Sequence, residues 1–302
     1  MISFNMGIME TMEEILKLLG PFPEKTPLAP ETLEKVDCGT YIREKIAYEV
    51  EPGEKVTAYI CAPKNMTTPA PAIFCHHQHN REFDIGKSEV VGLMGNPDQA
   101  YASELAERGY ITFAPDAIAF EERNWASPGS SEWHELAVRL IQGKTLMAKV
   151  LFDAMQGINY LVSREDVDSE RIGFIGHSYG GRMALWLPAF EKRIKSSVSN
   201  CCCLSYQDSL PQDVGVQMEF CIPSIMKKHD VKDVVSLIRD CSLLISATDN
   251  DVWSIGAEKL YEAVKPSLGD KVELKLWSGE HVFTPQMRQH AYQFLDRDLL
   301  NK

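Results

Sequence analysis

Residues 171–181 read Arg171-Ile172-Gly173-Phe174-Ile175-Gly176-His177-Ser178-Tyr179-Gly180-Gly181, and a helical pattern continues to Phe190. An apolar run, a serine flanked by glycines and a helix-forming stretch predict a strand (Arg171 to Ile175), a sharp turn and a helix (Gly181 to Phe190). The Gly-x-Ser-x-Gly spacing suits that turn. The glycines let the backbone double back, and the serine side chain is lifted clear of the sheet. Ser178 is therefore the candidate nucleophile, standing at the carboxyl end of a strand.

The same alternation extends in both directions. Upstream, an amphipathic helix near Glu10 to Leu19 and a Pro-rich stretch make 1–40 an N-terminal helical extension. Tyr41 to Val50 and Lys55 to Cys61, split by Glu51-Pro52-Gly53, read as an antiparallel hairpin. Ala72 to Cys75 and Tyr110 to Ala114 read as strands, and Leu136 to Val162 as helix broken near Gly143. Downstream, Ile194 to Asn200, Ser242 to Ser246 and Val272 to Trp277 are strand candidates, and Gln286 to Leu300 is a closing helix. Strands separated by helices imply an α/β fold, a mostly parallel central sheet with helices on both faces. The chemistry of such sheets gathers on loops at the carboxyl ends of the strands.

A serine hydroxyl needs a base to take its proton. In a strand–Gly-x-Ser-x-Gly–helix setting the chain order is Ser, acid, His. After Ser178 the histidines are His229, His281 and His290. His281 sits in a loop just past Val272 to Trp277. His290 falls inside the closing helix, and His229 follows Lys227-Lys228 in a charged stretch. His281 is thus the expected base. The acid should follow Ser242 to Ser246, where Asp249 and Asp251 occur. Asp249, nearer the strand end, is the choice, with Asp251 as a turn former. One carboxylate suffices to hold the tautomer and to stabilise the imidazolium. The oxyanion hole needs two backbone donors. Tyr179 N–H, just after the nucleophile, should be one, and His79 or Gln78, in the loop after Ala72 to Cys75, the other.

His77 and His79 also form a His-x-His pair. A binuclear metal site would continue with Asp and His, but Arg81 and Glu82 stand there, so no metal is expected. Neighbouring strand residues face opposite ways, so Cys201-Cys202-Cys203 reads as core packing. Glu122 and Arg123 follow a strand end and are candidates for the pocket. Tyr206, Met218 and Phe220 lie in 204–240, a cap-like insertion expected to govern substrate choice.

The chain has 302 residues, 44% hydrophobic and 25% charged, with a formal net charge of -12. That acidity excludes a nucleic-acid binder, which needs basic surface against phosphates. The sequence has no window of about 20 apolar residues to span a membrane, and no signal-like N-terminus. Eight cysteines lack Cys-x-x-Cys spacing. A soluble, reduced, cytoplasmic protein is the expectation, with no cofactor, and a homo-oligomer is compatible with it.

These residues resemble the dienelactone hydrolase and acetyl xylan esterase-like branch of the α/β-hydrolase superfamily, from about Tyr41 to Leu300. The pieces that carry the resemblance are His77-Gln78-His79 with Phe83 and Gly86-Lys87, Tyr110 to Asp116 with Glu122-Arg123, Val167-Asp168, and Arg171 to Gly181. They continue with Ile222-Pro223, the Asp249 loop and Glu280-His281. The resemblance implies an α/β-hydrolase domain over 41–302 and a triad of Ser178, Asp249 and His281, because the family's Asp sits three residues after a small one, here Ser246. It further implies a small-molecule ester as substrate, with His77 and Trp253 near it. Trp253 departs from the family, which often has Pro there. A peptidase of prolyl-oligopeptidase type, a lactone or thioester hydrolase and a non-catalytic binding homologue are the rival readings.

Overall fold

The sheet is built around the strand that carries Ser178. A computed structural model of the chain describes residues 2–300 apart from Asn65, Pro128, Asp213 and Gly215. Its strands are β1 Glu31–Asp37, β2 Tyr41–Glu51, β3 Glu54–Pro63, β4 Ala70–His76, β5 Ile111–Pro115, β6 Val167–His177, β7 Ile194–Asn200, β8 Ser242–Thr248 and β9 Val272–Trp277. They pair in the order β1-β2-β3-β5-β4-β6-β7-β8-β9. β1, β2, β3 and β5 are antiparallel in turn, and every pairing from β5 through β4 to β9 is parallel. The α/β-hydrolase expectation is met. β6 lies between β4 and β7, so the loop after β4 and the end of β7 both flank Ser178.

The helices are α1 Ile2–Leu19, α2 Lys87–Val90, α3 Tyr101–Glu107, α4 Ser130–Ile141, α5 Leu146–Ser163, α6 Tyr179–Phe190, α7 Tyr206–Ser209, α8 Val231–Val235, α9 Ala257–Leu268 and α10 Pro285–Leu299. Side chains along a strand alternate between faces, and the core divides accordingly. Ala72 and Phe74 of β4 pack with Leu151 of α5, Leu187 of α6 and Val264 of α9. Ile73 and Cys75 pack on the other face with Leu105 of α3 and Leu295 of α10. Burial on both faces is why these strands read as continuous apolar runs. Each fully buried Leu or Phe contributes roughly 1.5–3 kcal/mol. The helical stretch expected to break near Gly143 is α4 and α5. Gly143 takes a φ of 70°, and the Thr145 hydroxyl caps α5 by accepting from Ala148 N–H.

Two expectations are corrected. The extension over 1–40 is not all helical: β1 adds an edge strand against β2. Its residues are almost all exposed, so no apolar alternation marks it. The charged stretch around His229 suggests a solvated loop, but His229 does not stand free in solvent. It is half-buried, and its Nε2 pairs with Glu14 of α1 at 2.9 Å. The 204–240 segment serves two ends. Val231, Val234 and Val235 of α8 are buried against α6, whereas Val214, Val216 and Met218 face a surface cleft. No helix among the described residues is long and apolar enough to cross a membrane.

Candidate active site

β6 ends at His177 and α6 begins at Tyr179, which leaves Ser178 alone at the turn with φ 57° and ψ −115°. A non-glycine residue in this region costs about 1–3 kcal/mol and persists only where its surroundings impose it. Here the surroundings are close-packed backbone. A Cβ on Gly176 would lie 2.3 Å from the Gly180 carbonyl carbon, and one on Gly180 would lie 2.1 Å from the His76 carbonyl oxygen. Only hydrogen fits at either position, so the turn closes tightly against the end of β4.

Asn200, at the end of β7, ties this turn to the loop after β9. Its carbonyl accepts Ser178 N–H at 2.9 Å. Its side-chain amide donates to His177 Nδ1 at 2.8 Å and to the Val282 carbonyl at 3.0 Å. Its Oδ1 accepts from the Ser246 hydroxyl at 2.8 Å. The His177 ring lies beneath that of His281, with centroids 4.6 Å apart. Burial, and then the neighbouring His281, hold His177 well below the usual imidazole range, so it stays neutral.

His281 Nδ1 lies 3.0 Å from Asp251 Oδ2. The Asp251 side chain is 1% exposed and that of His281 29%. Trp253 N–H donates to Asp251 Oδ1 at 3.0 Å and the Ser254 hydroxyl to Oδ2 at 2.6 Å, which fixes the carboxylate. The choice of Asp249 is therefore corrected. Asp249 N–H donates to the Trp277 carbonyl at 3.0 Å, and Asp249 Oδ1 accepts from Gly279 N–H at 3.0 Å. The β8–β9 pairing runs on through Asp249, so its carboxylate braces the next loop and Asp251 is the residue that turns to His281.

Ser178 and His281 line one cleft of about 430 Å³ together with Gln78, His79, Glu132, Met218 and Trp253, among others. The cleft thus gathers the expected nucleophile, base, oxyanion loop and Trp253. Tyr179 heads α6, so its N–H is free of helical partners. The other expected pocket residues lie elsewhere. His77 is fully buried, accepting Ala117 N–H at its Nε2 at 3.0 Å. Glu122 is paired to Lys45 and Lys87. Arg123 is buried between Glu54 and Asp153. Tyr206 is buried, its hydroxyl on the Phe220 carbonyl at 2.7 Å. Each is spent on holding loops together.

Sequence reasoning missed Glu132 and Glu219. His79 Nε2 lies 2.8 Å from Glu132 Oε1. Its Nδ1 accepts Arg81 N–H at 3.0 Å, which makes Nε2–H the donor to Glu132. Behind Glu132 the Glu219 carboxyl is fully buried, and neither of its oxygens has a partner. Burial, then repulsion from Glu132, push it well above the usual carboxylate range. The two glutamates stand 87 residues apart in sequence (219 minus 132), and no motif joins them.

A family model described as the dienelactone hydrolase family matches residues 57–218. The provisionally named hydrolase YtaP of Bacillus subtilis (strain 168) is 29% identical over 298 residues, covering 95% of this chain and 98% of its own. Two solved structures share the fold. A provisionally named acetyl xylan esterase from Bacteroides fragilis NCTC 9343 is 19% identical with a TM-score of 0.70, covering 91% of this chain and 74% of that one. A glucuronoyl esterase from Solibacter usitatus is 16% identical with a TM-score of 0.68, covering 92% and 88%.

Proposed function

The chain belongs to the dienelactone hydrolase family and is an ester hydrolase of the α/β-hydrolase fold, and from that premise we propose that it cleaves short-acyl carboxylic esters through an acyl-enzyme on Ser178, with His281 as base and Asp251 as the acid that orients it. One observation carries the reading: Ser178 and His281 share a cleft, and a buried carboxylate holds His281 by Nδ1. That bond sets the tautomer with Nε2 unprotonated, the form that accepts a serine proton.

In the proposed cycle His281 Nε2 takes the Ser178 proton as Oγ attacks the ester carbonyl. The oxyanion is met by Tyr179 N–H and by a backbone donor of the Gln78–His79 loop, each such donor worth about 10²–10³ in rate. His281 then protonates the leaving alcohol, and water repeats the sequence on the acyl-enzyme. Asp251 orients the imidazole and offsets the imidazolium charge.

Gln78, His79, Arg81 and Glu132 give the cleft a polar wall, and Val216, Met218 and Trp253 are among its apolar lining. We propose that the polar wall receives a hydroxylated alcohol, an assignment supported by the sugar-ester names of the two solved structures. All eight cysteines are unpaired, which supports a reduced, cytoplasmic setting. The test is turnover of p-nitrophenyl esters from acetate to octanoate by wild type and Ser178→Ala. Fast turnover of the short esters that is lost in the variant is expected. Turnover that survives in the variant contradicts the proposal.

A further inference from the structure

Three groups of metal-competent side chains occur among the described residues, each with ligand atoms within 4.8 Å of one another. Asp116, Glu121 and Glu122 already surround a cation, the Lys87 ammonium, which lies 2.7 Å from Asp116 and 2.6 Å from Glu121. In His79, Glu132 and Glu219 the imidazole is committed: Arg81 N–H occupies Nδ1, so Nε2 carries its hydrogen and offers no lone pair. The third group is Cys201, Asp251 and His281. Here Nδ1 is shared only with Asp251, and no hydrogen-bond donor blocks the tautomer shift.

We propose that Cys201, Asp251 and His281 form an inhibitory site for Zn²⁺ or a divalent cation of similar softness, which captures the acid and base of the triad and turns the esterase off. The inhibition rests on the triad assigned above; the binding does not.

The donor set suits the ion. Thiolate, imidazole and carboxylate are the ligand types of protein zinc. Cys201 has a left-handed φ of 52°, a conformation few side chains tolerate. It directs Sγ toward the β9 loop, where Sγ lies 3.4 Å from the Val282 carbonyl and 3.5 Å from the Thr248 hydroxyl. Thiol hydrogen bonds are weak and readily exchanged for a metal bond. The Asp251 carboxylate is already oriented by Trp253 N–H and Ser254, the kind of support that metal-binding carboxylates receive. His281 is partly exposed to the cleft and provides the way in.

The proton balance explains the inhibition. The ion takes the His281 Nδ1 lone pair, and the ring hydrogen moves to Nε2 through solvent. Nε2–H cannot accept the Ser178 proton, so acylation stops. The Cys201 thiol loses its proton to solvent, so ion, thiolate and carboxylate sum to zero charge, which suits a buried site. One proton leaves per ion bound.

The experiment has two arms. In the first, esterase activity is measured against buffered free Zn²⁺, each variant relative to its own zinc-free rate. Wild type should be inhibited and restored by chelator. Cys201→Ser and Cys201→Ala should need at least about 10–100-fold more Zn²⁺, since even outer-shell changes cost that much, while Glu219→Gln should match wild type. In the second arm, Co²⁺ is added to Ser178→Ala, which has no turnover to measure. A thiolate-to-cobalt charge-transfer band is expected, and it should vanish in Ser178→Ala/Cys201→Ser. Equal inhibition of wild type and both Cys201 variants, or no cobalt band, would overturn the proposal. A cobalt band on a wild type without esterase activity would overturn the inhibitory role and the triad beneath it while leaving the metal site.

Discussion

His281 Nδ1 faces Asp251 Oδ2 across 3.0 Å, and the same carboxylate is gripped by Trp253 N–H and the Ser254 hydroxyl. Asp249, two residues earlier, instead braces Gly279 N–H. The two aspartates should therefore separate in kinetics. Asp251→Asn should lower kcat by about 10⁴, because an amide favours the wrong tautomer. Asp249→Asn should cost far less. Equal losses, or a greater loss at Asp249, would return the acid's role to Asp249.

Asn200 holds Ser178 by its backbone and the His281 loop by its side chain. Asn200→Ala leaves the Val282 carbonyl and His177 Nδ1 without that donor, at a cost of roughly 1–3 kcal/mol in stability. Loosening of the base loop should appear as a lower kcat at nearly constant KM and slower fluorophosphonate labelling of Ser178. A variant that is destabilised but keeps full kcat would reduce Asn200 to a fold-holding residue.

Glu219 makes stability depend on pH. Its folded pKa is raised above the ordinary 4.5 by burial and by Glu132. Such a group contributes fully below the unfolded pKa, and its contribution is lost as pH rises through the folded value. Glu219→Gln keeps the uncharged shape at every pH. Its Tm should track wild type at pH 4, exceed it increasingly as pH rises from 4.5 toward the raised folded pKa, and keep a constant lead above that value. Parallel Tm curves for the two proteins would show that Glu219 carries no such linkage.

The turn tolerates no side chain at Gly176 or Gly180. In Gly180→Ala the new methyl would meet the His76 carbonyl at 2.1 Å, with rigid backbone on both sides. We expect destabilisation beyond about 4 kcal/mol or failure to fold, read as a collapse of the urea midpoint or of soluble yield. A stable Gly180→Ala protein would mean that the turn is looser than described.

The sequence revealed most where the information is local. The turn at Ser178 is legible because the glycines, the strand and the helix are contiguous. His281 was reached because it follows a clear strand. Asp251 was not, because the choice between two loop carboxylates depends on how far β8 and β9 remain paired, and their pairing carries Asp249 past its expected turn. β1 was hidden by its exposure: an edge strand with polar residues on both faces has no alternation to read. Glu122, Arg123 and Tyr206 look available as isolated residues, and only their distant partners Lys45, Asp153 and the Phe220 carbonyl show that they are engaged. Glu132 and Glu219 meet only through the fold.

Ser178 should become acylated during turnover. Intact-protein mass spectrometry after a rapid quench with p-nitrophenyl acetate, followed by peptide mapping, tests it directly. An adduct of one acetyl group on the Ser178 peptide, absent in Ser178→Ala and accumulating in Asp251→Asn, is the expected result. Ester turnover with the acetyl group on another residue, or with no covalent adduct under any quench while Ser178→Ala remains active, would contradict the account.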